Sequence, residues 1–211
     1  MSIPIPRILV VGGGGHARSV MDAISASGVY EIAGIVDPDS SASYLGHTVL
    51  GSDDDLFDLH ESGFEVAAIG VGYLGGGDGS RARVYKRLLE VGFELPNIVD
   101  PTAAVAADVV LGEAAFVGKL AVINTAAVVG DGAIINSGAV VEHDCAIGQL
   151  AHVSVNATLC GGVTVGEGAM IGAGATVIQG VRIGKNAIVG AGSVVLRDVP
   201  EATTVVGVFH G

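Results

Sequence analysis

Between Val99 and Val195 every sixth residue is aliphatic, and this regularity constrains the fold more than any other feature of the sequence. The series holds without a break through seventeen positions: Val99, Val105, Leu111, Val117, Ile123, Val129, Ile135, Val141, Ile147, Val153, Leu159, Val165, Ile171, Val177, Ile183, Val189 and Val195. Four residues after each one stands a small residue, mostly alanine, and the residue directly after it is glycine eight times. A period of six fits neither an amphipathic helix nor an alternating strand.

This period is typical of a hexapeptide solenoid. One hexad makes a short flat strand and a corner, and three hexads close a triangular coil of about eighteen residues. We expect the aliphatic residue to point into the prism and the small residue to lie where there is little room. The glycine is expected to tolerate an unusual corner backbone. Because successive coils pair roughly 4.8 Å apart, residues eighteen positions apart should stack.

The composition restricts the partners and the compartment. Hydrophobic residues make up 50% of the 211 residues but aromatic residues only 4%, as a narrow repeated cross-section requires. The net charge of −12 argues against nucleic acid as a partner. The longest uncharged run, residues 145–166, is interrupted by polar residues and glycines, which argues against a membrane span. The N-terminus does not resemble a signal peptide, so we expect a cytoplasmic protein.

The solenoid offers few candidate metal ligands. Cys145 and Cys160 lack metal-site spacing and are expected to be reduced packing residues. Between Val99 and Val195 the histidines are His143 and His152, whereas a zinc ion that activates water needs three protein ligands. We therefore expect no metal.

The pattern changes near Pro96–Pro101, which predicts an α/β domain at residues 1–97 and an all-β solenoid domain at residues 98–211. Strands are predicted at 8–11, 32–36 and 66–69, and helices at 18–27, 54–61 and 80–91. This alternation predicts a small parallel sheet with helices packed on it.

A run of four glycines, residues 12–15, connects the first strand with the first helix and leads into His16. The run matches G-x-G-x-x-A, with Asp37 about twenty residues on, as in dinucleotide-binding folds. A domain of under about a hundred residues is half of a full two-lobed fold, so a nucleotide-sugar fits better than NAD. Glycine amides and the helix N-terminus could face a pyrophosphate, Asp37 or Asp39 could accept hydrogen bonds from ribose or base, and His16 could touch phosphate or sugar. Alternatively, the glycines only let strand and helix pack closely.

Residues 70–79 form a second glycine-rich segment, directly after the predicted strand at 66–69. In open α/β sheets, ligands bind at the carboxyl edge of the strands, where this segment lies. It is either a mobile lip of the ligand site or an idle loop.

Glu142-His143-Asp144 is the one place in the solenoid where an imidazole is flanked by carboxylates. A histidine oriented by a carboxylate suits general-base catalysis. In a regular strand both acids would point away, and only a corner lets Asp144 turn back. One coil later, Gly161 should stack on His143, where its amide could donate to an oxyanion without a side chain in the way. The alternatives are a solvated turn histidine and a glycine that merely relaxes a tight corner.

Taken together, these motifs resemble the bacterial sugar acetyltransferases of the PglD/NeuD type. The resemblance rests on the turn at 12–17, the small α/β domain, the join at 100–101, and the run 135–145 followed by His152-Val153-Ser154. It covers nearly the whole chain. It implies a Rossmann-like N-terminal domain that holds a nucleotide-linked amino sugar, and a homotrimer of left-handed parallel β-helices with acetyl-CoA in the groove between neighbours. The product would enter surface polysaccharide biosynthesis.

The resemblance also implies roles for individual residues. His143 would be the general base and Asp144 its orienting acid, while Asn136, His152 and Gly161 would contact the cofactor, Gly161 as amide donor to the thioester oxygen. The nucleotide-sugar site would be lined by Gly14, Gly15, His16, Asp37 and Gly70. The expected reaction is acetyl transfer from acetyl-CoA to the sugar amine without an acyl-enzyme. The alternatives are O-acetylation of sialic acid or a related sugar, an inactive scaffold and an NAD-dependent oxidoreductase.

The sequence departs from the family pattern in two places. The chain ends Gly207-Val208-Phe209-His210-Gly211, where members usually have Gly-Val-Pro-Ala followed by a basic residue. Arg182, Lys185 and Arg197 are therefore the candidate partners of the CoA phosphates. Gly70 is followed by Val71 rather than by asparagine, which leaves the sugar and nucleotide preference open.

Overall fold

A computed structural model describes residues 5–41, 43–44, 46–73 and 79–211, and these form two compact units with a boundary at Pro101/Thr102. This boundary lies beside the predicted join. Residues 74–78 of the second glycine-rich segment lie outside the described residues. None of the helices in the described ranges is long and apolar enough to cross a bilayer.

The first unit is built on a five-stranded sheet. Its strands are β1 (Arg7–Val11), β2 (Glu31–Val36), β3 (Ser43–Tyr44), β4 (His47–Gly51) and β5 (Val66–Ile69), in the order β3-β4-β2-β1-β5. All run parallel except β3, which is antiparallel to β4. Strand β1 lies between β2 and β5 and is apolar, and its residues 8–11 are fully buried. The carboxyl ends of β1, β2 and β5 therefore meet at one edge of the sheet.

Three α-helices accompany this sheet: α1 (Gly15–Ser27), α2 (Leu56–Glu61), which follows a 3₁₀ turn (Asp53–Asp55), and α3 (Ser80–Val91). The predicted bounds of β5 and α3 are confirmed. Helix α1 begins at Gly15, three residues before the predicted start at Arg18, because the glycine turn is shorter than expected. Consequently His16 lies within the first turn of the helix. The short strands β3 and β4 were not predicted, since they lack an apolar run.

The second unit consists of two-residue strands arranged on three faces, and β6 (Ile98–Val99) precedes it. Face one carries β9 (Phe116–Val117), β12 (Ile134–Ile135), β15 (His152–Val153), β18 (Met170–Ile171), β21 (Ile188–Val189) and β23 (Thr204–Val205). Face two carries β7 (Ala104–Val105), β10 (Val122–Ile123), β13 (Val140–Val141), β16 (Thr158–Leu159), β19 (Thr176–Val177), β22 (Val194–Val195) and β24 (Val208–Phe209). Face three carries β8 (Val110–Leu111), β11 (Val128–Val129), β14 (Ala146–Ile147), β17 (Thr164–Val165) and β20 (Arg182–Ile183).

The strands of each face pair in parallel with a register of eighteen residues, as in Val122 with Val140. The aliphatic residue of each hexad and the small residue four positions later fill the prism: Val141, Ala151 and Val153 have no exposed surface. The predicted hexapeptide β-helix, of the left-handed type, is thus confirmed. The register shortens in the final coil, where Val194 pairs with Val208.

The glycines that directly follow the aliphatic residues have a role other than the predicted one. Gly148 has no left-handed backbone, and a Cβ placed on it would lie 2.5 Å from the backbone nitrogen of Glu167 in the next coil. These glycines are required by the close approach of neighbouring coils, so the prediction of an unusual backbone was wrong there. Left-handed backbone occurs two residues later, at Leu150 and at equivalent positions such as Asn156 and Gly168.

Candidate active site

The His143 corner, residues 142–145, leads from β13 on face two to β14 on face three. Asp144 has a φ of 59°, in the left-handed region that aspartate tolerates better than most residues. The corner is held by backbone hydrogen bonds from Asp144 N to Thr125 O (3.1 Å) and from Gly162 N to His143 O (2.9 Å). In this conformation the Asp144 carboxylate turns back, and its Oδ2 lies 2.8 Å from His143 Nδ1.

The two side chains are accessible, with 57% of His143 and 68% of Asp144 exposed. The hydrogen bond to Asp144 raises the pKa of His143, and the negative charges of Asp144 and Glu142 act in the same direction, against a smaller effect of burial. Since Nδ1–H donates to the carboxylate in the neutral ring, the lone pair on Nε2 is the one that can accept a proton. This is the geometry of an oriented general base.

The imidazole of His143 packs directly against Gly161, the residue eighteen positions later. A Cβ on Gly161 would lie 2.5 Å from Cε1 and 2.6 Å from Nε2 of His143, so any side chain would collide with the ring. Within the described part of the solenoid no hydrogen bond uses the N–H of Gly161. This amide therefore keeps its donor for a further acceptor, and Gly161 stacks on His143 as the spacing of eighteen residues predicts.

Cys145, at this corner, is a packing residue, and Cys160 beside it is half-buried. Cys145 is buried, and its Sγ donates to the carbonyl of Cys160 at 3.3 Å. Burial raises the pKa of the Cys145 thiol. A thiol in this state is a poor nucleophile, which agrees with a mechanism without an acyl-enzyme.

Asn136 and His152 contact each other on another part of the prism. Asn136 Nδ2 lies 3.2 Å from His152 Nε2, at the corner between faces one and two. His152 is buried and Asn136 half-buried. Because the whole width of face two separates this pair from His143, a single chain does not bring the two groups together.

The residues predicted to line the nucleotide-sugar site lie at the carboxyl edge of the sheet in the first unit. A Cβ on Gly14 or Gly15 would meet no atom within 4 Å, so the backbone here faces open space that a ligand could fill. His16 follows in the first turn of α1. At Gly70, by contrast, a Cβ would lie 2.7 Å from Gly12 O. The absence of a side chain at Gly70 thus serves close packing.

Asp37 holds the glycine turn, a role that the sequence did not indicate. Its Oδ2 accepts a hydrogen bond from Gly13 N (2.6 Å) and its Oδ1 accepts one from Asp39 N (2.9 Å). A carboxylate has about four lone-pair sites, so both oxygens retain capacity for ribose or base. The residues are twenty-four positions apart, and only the pairing of β1 with β2 brings them together.

A cavity of about 600 Å³ lies on the same edge of the prism as the His143 corner, closer to the C-terminus. It is lined by Ile178, Gln179, Gly180, Val181, Leu196, Arg197, Asp198, His210 and Gly211. Of the three predicted phosphate partners, Arg197 lines it, whereas Lys185 forms an ion pair with Glu167 at 3.0 Å and Arg182 lies on face three. His210 from the unusual C-terminus supplies a further nitrogen group. In the described ranges no three His, Cys, Asp or Glu residues cluster as metal ligands.

Family models match both units of the chain. The PglD N-terminal domain matches residues 7–88. The hexapeptide repeat of succinyl-transferase matches residues 139–177, and the bacterial transferase hexapeptide (six repeats) matches residues 162–197.

Solved structures extend the similarity to nearly the full length. PerB from Caulobacter crescentus, in complex with CoA and GDP-perosamine, is 40% identical with a TM-score of 0.90, covering 98% of this chain and 97% of that one. A histidine-to-alanine mutant of GDP-perosamine N-acetyltransferase from the same organism, with the same two ligands, is 40% identical with a TM-score of 0.91, covering 98% and 96%. The acetyltransferase domain of PglB from Neisseria gonorrhoeae FA1090, in complex with acetyl coenzyme A, is 32% identical with a TM-score of 0.89, covering 97% of each chain.

The identity and coverage far exceed what a shared solenoid alone would produce, because they include the α/β unit as well as the hexapeptide repeats. The oriented histidine lies in the repeat part and the glycine turn in the α/β part. The chain therefore belongs to the PglD/NeuD-type sugar acetyltransferases, which are acyltransferases that use acetyl-CoA.

Proposed function

We propose that this protein transfers the acetyl group of acetyl-CoA to the amine of a nucleotide-linked amino sugar, with His143 as the general base. The proposal rests on the 2.8 Å contact between His143 Nδ1 and Asp144 Oδ2, and on Gly161, which stacks on the imidazole and whose N–H makes no hydrogen bond in the described part of the solenoid. N-acetylation of GDP-perosamine, the activity of the relative from Caulobacter crescentus, requires a base and an oxyanion donor of this kind.

The chemistry follows from the atoms at this corner. As the sugar nitrogen attacks the thioester carbon, Nε2 of His143 accepts the proton that the nitrogen loses. The Asp144 carboxylate stabilises the resulting imidazolium, and the N–H of Gly161 donates to the oxyanion of the tetrahedral intermediate. When the carbon–sulfur bond breaks, the imidazolium returns the proton to the leaving CoA thiolate. No cysteine takes part.

The coenzyme would lie along the same corner of the solenoid. Gly161 would receive the thioester oxygen, and the cavity lined by Arg197 and His210 would receive the nucleotide end. Arg197 is thirty-six residues, or two coils, beyond Gly161, which corresponds to about 10 Å along the prism axis. This distance is within the length of the pantetheine arm, so one extended coenzyme can reach both places.

We further propose that the protein is a homotrimer with acetyl-CoA between subunits. His143 and the Asn136–His152 pair lie at opposite edges of face two. One coenzyme can contact both only if two subunits present these edges to each other, and a closed threefold assembly repeats that arrangement three times.

The nucleotide-sugar would bind at the glycine turn of the first unit. Gly14, Gly15 and the N-terminus of α1 offer backbone N–H groups to the pyrophosphate, His16 follows in the helix, and Asp37 keeps lone pairs for ribose or base. Gly70 would shape the site through packing. The 40% identity to PerB favours a GDP-linked substrate. Because acetyl-CoA and nucleotide-sugars are made in the cytoplasm, we place the enzyme there, in surface polysaccharide biosynthesis.

The substrate is tested by measuring thiol release from acetyl-CoA with GDP-, UDP- and dTDP-linked amino sugars. The matched control is the GDP-sugar with a hydroxyl in place of the amine. We expect release with at least one amino sugar and none with its hydroxyl analogue. Release with the hydroxyl sugar or a sialic acid would instead establish O-acetylation, and no release with any acceptor would leave only a scaffold.

The shared site is tested by mixing His143→Ala and Asn136→Ala subunits after dissociation. If the two residues act across a subunit boundary, random reassembly creates intact sites at about a quarter of all positions. We therefore expect the mixture to recover about a quarter of the wild-type activity, while each variant treated alone recovers none. A mixture as inactive as its components would contradict the shared site.

A further inference from the structure

Arg81, in the first turn of α3, is buried to 97%, the only lysine or arginine in the described ranges that is buried. Arginine is rarely buried this deeply, because removing a charge from water is costly. It lies on the apolar stripe of α3, which also carries Val84, Tyr85 and Leu88 at helical spacing. A charge on this stripe indicates a specific role, and the spacing was a signal that the sequence contained.

The guanidinium of Arg81 holds the turn that follows β5. Nη1 donates to the carbonyl of Val71 at 2.6 Å and lies 3.4 Å from that of Ile69, the last residue of the strand. Burial lowers the pKa of Arg81 to about 10. The group therefore stays positively charged at neutral pH, directly behind the carboxyl edge of the sheet.

The turn after β5 packs without spare room against the glycine turn that follows β1. A Cβ on Gly12 would lie 2.8 Å from Cγ2 of Val71 and 2.9 Å from its backbone nitrogen. Gly70 N donates to Val11 O at 2.7 Å. A displacement of Val71 would therefore displace Gly12 as well.

The same contact extends to the start of α1. A Cβ on Gly72 would lie 3.2 Å from Cβ of His16, and Gly13, next to Gly12, is tied to Asp37 by its amide. Arg81 is thus linked, through two packed turns, to the residues proposed to bind the nucleotide-sugar. The hydrogen bonds of its Nη1 go to Ile69 and Val71 rather than to those residues themselves.

We propose that Arg81 is a positioning residue for the nucleoside diphosphate of the substrate: it fixes the two turns that offer backbone amides to the phosphates, and its buried charge adds positive potential behind them. In a protein with a net charge of −12, a local cation of this kind favours an anionic ligand at this edge. The proposal rests on the proposed function.

The test compares Arg81→Met, which keeps an unbranched apolar stem without the charged guanidinium, with Arg81→Lys, which keeps the charge without the fork of donors. Lys86→Met is the control, because Lys86 lies on the same helix, is 79% exposed and carries the same charge. Calorimetry measures binding of GDP, UDP and dTDP. Steady-state kinetics give the KM of each substrate, and thermal unfolding gives Tm.

We expect Arg81→Met to bind the nucleoside diphosphate about tenfold to a hundredfold more weakly, since it loses a charge-assisted hydrogen bond and the charge itself. The KM of the nucleotide-sugar should rise by the same factor, while the KM of acetyl-CoA and kcat at saturation stay unchanged. Arg81→Lys should recover part of the affinity, and Lys86→Met should match the wild type.

Equal binding of the diphosphate by wild type and Arg81→Met would overturn the role of Arg81 but not the proposed function. A KM for acetyl-CoA that rises together with that of the sugar would have the same consequence. Failure of the wild type to bind any of the three diphosphates would overturn the proposed substrate class and the role of Arg81 with it. If Arg81→Met does not fold, Arg81→Lys decides the question: weaker diphosphate binding with an unchanged KM for acetyl-CoA supports the proposal, and wild-type binding contradicts it.

Discussion

Two edges of the same solenoid are built from the same hexads and differ consistently at the position directly after the aliphatic residue. At the edge between faces three and one, the residue directly after the aliphatic one is glycine in every coil: Gly112, Gly130, Gly148, Gly166 and Gly184. At the edge that carries the His143 corner, the equivalent residues all bear side chains: Ala106, Asn124, Glu142, Cys160, Ile178 and Leu196. At the first edge, which we call the closed edge, neighbouring coils meet through backbone contacts. We call the second edge, which carries side chains at this position, the open edge.

The difference shows how a repeat protein assigns chemistry to one edge. At the closed edge, a Cβ on Gly166 would lie 2.6 Å from the backbone nitrogen of Lys185, which cannot move without separating the coils. At the open edge, Gly161 stands one position later in its hexad than Gly166 does. The atoms nearest to a Cβ on Gly161 belong to the imidazole of His143, which can rotate. Substitution should therefore cost stability at the first edge and activity at the second.

The largest expected effect is that of His143→Ala. Removing the base should lower kcat by at least about a hundredfold, because general-base catalysis typically contributes 10²–10⁴-fold. Gln149→Ala is the control, since Gln149 occupies the same hexad position at the closed edge; it should leave kcat unchanged. Thiol release at saturating acetyl-CoA measures both. A loss of less than about tenfold in His143→Ala would remove His143 as the base.

Next in size is Gly161→Ala. The added methyl group would push the imidazole away from Asp144 and from the incoming thioester, and misplacement of about 1 Å can cost a hundredfold in rate. We expect kcat/KM to fall by about tenfold to a hundredfold, with the free energy of unfolding nearly unchanged because the ring is exposed. Kinetics and urea unfolding of the same preparation check this. Full activity would show that the position of the imidazole against Gly161 does not matter for the reaction.

The opposite pattern is expected for Gly148→Ala. Its Cβ would meet the backbone of the next coil at 2.5 Å, so the free energy of unfolding should fall by about 1–3 kcal/mol, as in other overpacked sites. The kcat of the folded protein should be retained, since the closed edge carries no chemistry. Equal losses of stability in Gly148→Ala and Gly161→Ala would show that the two edges do not differ as described.

The smallest effect is expected for Gly174→Ala, at the third edge. Gly174 has a φ of 66°, but a Cβ there would meet no atom within 4 Å. Only the left-handed backbone opposes the substitution, which costs about 1–2 kcal/mol for a residue other than glycine. Urea unfolding should place this variant between wild type and Gly148→Ala. A loss as large as that of Gly148→Ala would contradict the larger cost that we assign to contact between coils.

The sequence predicted the solenoid well because each hexad is a local pattern that repeats. The strands fall where the aliphatic residues predicted them, and Gly161 stacks on His143 because a register of eighteen residues needs no further information. The function of the glycines after the aliphatic residues was assigned wrongly. A close approach between coils and an unusual φ both favour glycine, and only coordinates distinguish them.

Prediction was weaker where the contacts are distant in sequence. The contact of Asp37 with Gly13 depends on the pairing of two strands, which residue spacing does not specify. The short strands β3 and β4 are stabilised by the sheet rather than by their own composition. The burial of Arg81 was also missed, because an arginine near the start of a basic helix is usually exposed and this one follows the apolar stripe inward.

The most direct test of the His143–Asp144 pair as the general base is the pH dependence of kcat/KM in wild type and in Asp144→Asn. The base acts when it is neutral, so activity rises with pH through the pKa of His143, and the contact with Asp144 moves this rise to higher pH than for an ordinary histidine. Asparagine cannot stabilise the imidazolium, so the acidic limb of the Asp144→Asn profile should move to lower pH while its maximum falls. An acidic limb at the same pH in both proteins would show that a group other than the His143–Asp144 pair, such as the substrate amine, sets the titration.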